Sequence, residues 1–183
     1  AKEAERRGLP NHKTTPEALD VFGEKKAIEM FTKFGIYSER ELESRHHIDL
    51  EHYVKQAAIE AEVTIDMATT MYLPAATAYA GELASSLAAS RQALGASGPG
   101  VRTIAGMLKS LSGDIDRLQG AMSKLEGMVE RAVATAELPA KAKAFVGVRA
   151  QAEKVRAAVD SLEGTVADRH WPVPKYRQML LSL

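Results

Sequence analysis

Glu43-Ser-Arg-His46 is the stretch of this sequence best equipped for chemistry. Three residues apart, its carboxylate and imidazole share one helical face, the E-x-x-H spacing that di-iron bundles supply from two facing helices beside two further glutamates. Asp49-x-x-His52 is a poorer second copy, and it lies on the same predicted helix instead of a facing one. His46, His47 and His52 also have the makings of a surface zinc site, with Glu51 four residues after His47. Arg40, Arg45 and Lys55 offer positive charge to a phosphate. Glu39, Glu41, Glu43 and Glu51 interleave with them, however, at spacings that make helix-surface ion pairs. A solvated, charged face explains all these residues without a site. We therefore assign no catalytic, cofactor-binding or metal residue to this chain.

Other routes to chemistry close quickly. Gly95 to Gly100 has neither the G-x-x-x-x-G-K-[ST] nor the G-x-G-x-x-G arrangement, so it reads as a turn and not a nucleotide loop. No nucleophile elbow or catalytic triad is visible. The absence of cysteine excludes disulfides, thiolate metal sites and cysteine nucleophiles. Met67, Met71, Met107, Met122 and Met128 are spread over several predicted helices and read as core filling. His170-Trp171 before a Pro-x-Pro segment reads as an ordered tail packing on its own domain, with a peptide ligand as the other possibility.

The 24 basic and 24 acidic residues cancel, which argues against a general binder of nucleic acid or anionic membrane. Aromatics are only 5% of the 183 residues and alanine is abundant, a composition suited to closely packed helices. No apolar run approaches the roughly 20 residues a membrane helix needs. The first seven residues carry charges and no apolar signal-peptide core. They read as the end of a helix whose beginning is missing, in a cytoplasmic protein or an excised piece of one.

The elements that would position these residues are helical throughout. Gly8 and Pro10 close the first helix. Thr15 is expected to cap a short helix with Pro16 at its first position, ending near Phe22-Gly23. A further helix from about Glu24 should bury Ala27, Ile28, Phe31 and Phe34 and stop at Gly35. Ser38 and Glu41 then have the spacing of a capping box, with Tyr37 placed to staple onto the first turn. From there a helical pattern continues to Leu94, about 85 Å if straight. Its apolar positions are Leu50, Val54, Ala57, Ala61, Ile65, Ala68 and Tyr72, then Leu73, Ala76, Ala80, Leu83, Leu87 and Leu94. Pro74 should kink or divide it.

The helix from Val101 to about Glu137 has the cleanest period. Ile104, Leu108, Leu111, Ile115, Leu118, Met122, Leu125, Val129 and Ala132 alternate four and three residues apart, a seam that favours left-handed supercoiling with a partner. A last long helix, about Ala140 to Val166, repeats the pattern through Ala142, Phe145, Val148, Ala152, Val155, Val159 and Leu162. Short connections predict antiparallel neighbours. The expected architecture is an all-α, long-helix antiparallel bundle of three to four helices, with short N-terminal helices over 1–37. The bundle spans 38–183 and finishes near the first half of the long helix, in an extended tail over 168–183 that lays Trp171 and Tyr176 onto it.

Several of these segments carry a family resemblance. Gly8-Leu-Pro-Asn-His-Lys-Thr-Thr-Pro-Glu-Ala-Leu19 looks like the segment that follows the catalytic core of type III glutamine synthetases. Phe34-Gly-Ile-Tyr-Ser-Glu-Arg-Glu-Leu-Glu-Ser-Arg45 resembles their next block. Ile48 through Tyr53, Ile59-Glu-Ala61, Ile65-Asp-Met67 and Leu73-Pro-Ala75 fit the same family, and Trp171-Pro-Val-Pro-Lys-Tyr176 is similar to its C-terminal signature. Residues from about 76 to 168 match mainly in helical character.

The resemblance implies the C-terminal, non-catalytic portion of a large cytoplasmic enzyme. That enzyme joins ammonia to glutamate using ATP and a divalent metal, magnesium or manganese, as stacked hexameric rings. It implies a role in subunit packing or regulation, with the enzyme's own catalytic domain and neighbouring subunits as partners. Its metal, ATP and glutamate ligands belong to motifs without counterparts here. His46 and His47 stand where relatives carry an aromatic and an acidic residue, against a metal role. Two other readings are a free-standing helical module whose exposed seam recruits a protein, and a metal-binding bundle built on Glu43 and His46.

Overall fold

Every regular element is helical. The computed structural model describes residues 2–181, the side chains of Tyr176, Arg177 and Leu181 excepted, and no strand occurs among the described residues. Three short helices, α1 (Lys2–Arg6), α2 (Thr15–Asp20) and α3 (Lys25–Lys33), precede four long ones: α4 (Glu39–Met67), α5 (Leu73–Leu94), α6 (Val101–Ala134) and α7 (Leu138–Thr165). A short α8 (Tyr176–Leu181) follows an irregular stretch. The all-α class of long packed helices is as expected. Two compact units form, Ala1–Glu60 with Met128–Arg149 and Ala61–Gly127 with Ala150–Leu183.

In the first unit, local hydrogen bonds set the helix ends. Ser38 and Glu41 make the expected capping box, the Ser38 N–H donating to the Glu41 carboxylate at 2.7 Å and the Glu41 N–H to the Ser38 hydroxyl at 3.3 Å. The cap of α2 is Thr14 and not Thr15. Glu17, three residues after Thr14, receives the Thr14 N–H while its own N–H reaches the Thr14 hydroxyl, a reciprocity that Thr15 cannot have with this glutamate. At the end of α3, Gly35 adopts φ +63° and the Ile36 N–H reaches back to the Phe31 carbonyl at 3.0 Å. Phe34, expected inside, is 70% exposed. As the C-cap its backbone has left the helical region, at φ −90° and ψ 4°, so the face that half-buries Ala27, Ile28 and Phe31 does not extend to it. Leu42, Leu50, Ala57, Ala132, Ala142, Phe145 and Val148 form this unit's core.

In the second unit the α6 seam turns inward. Leu111, Leu118 and Leu125 have no exposed surface, and Val155 and Leu162 are buried with them. Ser161 donates to Asp114 at 3.2 Å and Gln151 to the Ala121 carbonyl at 3.0 Å. As one helix number falls the other rises, so α6 and α7 are antiparallel. The centre of the seam is thus occupied within its own chain.

The helical run from Glu39 to Leu94 is not broken at Pro74. It widens just before it, into a π turn over Ala68–Tyr72 in which the Leu73 N–H reaches back five residues to the Ala68 carbonyl. The wider turn draws carbonyls away from the proline ring and absorbs its missing donor. Pro74 thus occupies the first turn of α5. Leu94 is exposed, a departure from the seam pattern, because it faces the turn after α5. A Cβ on Gly98 would lie 2.5 Å from the Leu94 Cβ, so only glycine fits there.

Candidate functional site

The histidine–carboxylate stretch does not converge. His46 is half-buried and pairs through Nε2 with Asp20 Oδ1 of α2 at 3.2 Å, a partner 26 residues away that spacing cannot reveal. Glu43, His47, Asp49 and His52 are exposed. Glu51 accepts from Lys55 at 2.8 Å, and that bond holds its carboxyl below the ordinary value. Arg45 lies 4.5 Å over the Tyr37 ring. Among the described residues, no three His, Asp or Glu side chains come together in a way that could hold a metal ion. The structure brings His46 to Asp20 and leaves the other five apart from it as surface charge.

A buried charged side chain stands instead where the chain leaves α7. A helix end leaves carbonyls without amide partners. Here Lys175, only 8% exposed, answers them: its Nζ donates to the Glu163 carbonyl at 2.6 Å and the Val166 carbonyl at 2.9 Å, and pairs with Asp168 at 3.0 Å. Three donors meet three acceptors. The ammonium also lies 5.8 Å from the centre of the Trp171 ring.

Trp171 stacks on Tyr72 of the π turn, ring centres 5.2 Å apart. The indole Nε1–H is buried without an acceptor. A short turn, Asp168–His170, fastens the segment to α5: Arg169 and His170 both engage Glu82, His170 at 2.8 Å, while the His170 ring lies 5.7 Å from Tyr79. Those two bonds hold the Glu82 carboxyl below its ordinary value, the His170 bond contributing most.

The tail therefore clasps the chain at the π turn, where the first half of the long helix ends before Pro74, and at the start of α5. Trp171 packs as expected, whereas Tyr176 lies outside the described side chains. A cleft of about 420 Å³ opens beside the clasp, walled by Met67, Tyr72, Val155, Val159, Trp171 and Pro174. The contacts of the clasp fix the segment in place. Sequence reasoning missed Lys175, and the signal available was the Pro-Val-Pro spacing that holds the lysine near Trp171.

Fold and clasp together define an all-α domain of long packed helices with a fastened C-terminal segment. Residues 1–91 match the model of the family described as the glutamine synthetase C-terminal domain. The chain is 32% identical to the type-3 glutamine synthetase of Dictyostelium discoideum over 195 residues, covering 97% of this chain and 24% of that protein. It is 32% identical to a glutamine synthetase of Bacteroides fragilis, over 99% of this chain and 25% of the relative. For a glutamine synthetase of Butyrivibrio fibrisolvens the identity is 29%, with 100% and 26% covered. The chain matches the C-terminal portion of glutamine synthetases. It spans about a quarter of the length of the curated relatives it matches.

Proposed function

We propose that this chain is the non-catalytic helical portion of a type III glutamine synthetase and serves subunit packing. The observation that carries the reading is similarity along 97% of the chain to a type-3 enzyme of which it covers 24%. In this reading the remaining polypeptide performs the ATP-dependent joining of ammonia to glutamate, with ATP and magnesium or manganese bound there, in the cytoplasm. The chain's own catalytic domain and neighbouring subunits are its partners. The architecture suits the task. Long helices with inward seams and a fastened end resist bending, and no helix among the described residues is long and apolar enough to cross a membrane.

The full-length protein provides the test, assayed for glutamine formation with ATP and magnesium or manganese, and sized by light scattering. Glutamine formation and a multi-subunit mass are expected, with a smaller particle once Leu118→Asp unfolds this helical portion. A full-length protein that makes no glutamine, or a variant that assembles completely, overturns the proposal.

A further inference from the structure

The helices α1, α2 and α3 are five, six and nine residues long, lengths at which isolated helices are marginal in water. Packing must hold them, yet Pro16 is the only buried residue the three contain. Apolar side chains meanwhile stand outward. Met30 and Phe34, one turn apart, are 47% and 70% exposed, and Ile36 is 56% exposed just past the Gly35 turn. Phe22, also exposed, lies 6.3 Å from Phe31, and Phe31 lies 5.7 Å from Tyr37, so an aromatic row borders the patch. Lone exposed apolar residues are ordinary, but several grouped over one short stretch mark a contact surface. Lys26, Glu29 and Lys33 around it carry mixed charge, which favours an apolar counterpart over a charged one.

What covers the patch follows from length. Relatives that match along this chain hold about three times as much polypeptide again outside the match, and residues 1–91, which carry the family match, include the patch. A second copy fits less well. The hollow at this patch is lined by Ile36 and Tyr37 but otherwise by Thr32, Gly35, Ser38, Glu39 and Glu41, a mostly polar seat for another molecule's Phe34. We propose that Met30, Phe34 and Ile36, with Phe22 beside them, dock on an apolar surface of the remaining polypeptide of the same chain. This rests on the reading of the chain as one portion of a longer synthetase.

Peroxide oxidation of Met30 in the full-length protein, followed by mass spectrometry, tests the docking. A covered thioether should oxidise about tenfold more slowly than in the unfolded protein, at every protein concentration, and Phe34→Glu should return it towards the unfolded rate. Native oxidation within about twofold of the unfolded rate overturns the proposal, as half-exposure alone accounts for it. Protection lost on dilution assigns the patch to a second copy and overturns it too. So does a folded Phe34→Glu protein that keeps Met30 protected. If that variant does not fold, the wild-type rates still decide. Glutamine formation by the same preparation separates the two ideas. Activity with an open Met30 overturns the docking alone, and protection without activity overturns the enzyme reading alone.

Discussion

Lys175 brings its amine into a buried place with all three of its donors used, on the Glu163 carbonyl of α7, on the Val166 carbonyl just past it and on Asp168. Lys175→Met should strand those carbonyls and cost about 2–3 kcal/mol. Lys175→Arg should not restore it, because a planar fork cannot reproduce three diverging bonds. Trp171 is the chain's only tryptophan, so its fluorescence during denaturant unfolding reads both variants directly. Glu82 predicts a pH dependence. Its carboxyl titrates below the ordinary 4.5 in the folded chain, so the stability it adds is present above about 4.5 and is lost as pH falls through the folded value. The melting temperatures of wild type and Glu82→Gln should therefore differ above that pH and converge in acid. At this scale the sequence is legible where partners are near, as in the Ser38–Glu41 box. The pairing of His46 with Asp20 and of Asp114 with Ser161 was not, because hydrogen-bond partners 26 and 47 residues apart leave no local signal.

The π turn is the element that links the long helix to the tail. Tyr72 closes it and stacks on Trp171, and Pro74 sits just beyond. Pro74→Ala restores a donor and removes the ring, so an ordinary α-helical turn becomes available. The expected outcome is a chain at least as helical by circular dichroism, with Tyr72 rotated off the indole and Trp171 emission shifted to the red. Unchanged emission would show that the stack does not depend on the wide turn. A disturbance at Pro74 is readable from composition, since proline lacks an amide hydrogen. Its form is not, because the choice among break, kink and π turn depends on what the displaced residues pack against.

For the whole molecule, the seam of α6 is the strongest test of intramolecular packing. Leu118 has no exposed surface, so Leu118→Asp should destabilise the chain by about 4 kcal/mol or more and unfold it as a monomer, followed by circular dichroism with light scattering. A folded variant of normal stability would mean the seam is not a core. The inward placement of Asp114 and Gln151, 3% and 4% exposed, refines the pattern. Ile115 and Ala152, the apolar neighbours, are only half-buried. Gln151 and Asp114 each make a bond between α6 and α7, Asp114 also keeping Arg117 of its own helix. An offset of one turn would orphan Gln151 and break the Ser161 bond, so the two favour this register of the pair.

By itself the sequence determined the helices, the caps near Gly35 and Ser38, and the period of the α6 seam, since each depends on residues within a turn or two of one another. It also carried the family, because the resembling segments are contiguous strings. Only the tertiary structure decided that the seam turns inward, that the charged E-x-x-H face stays open, that Phe34 is exposed, and that Lys175, at the far end of the chain, is among the buried polar groups. Burial and partnership are properties of surfaces brought together from distant residues, and periodicity along one helix carries no record of them.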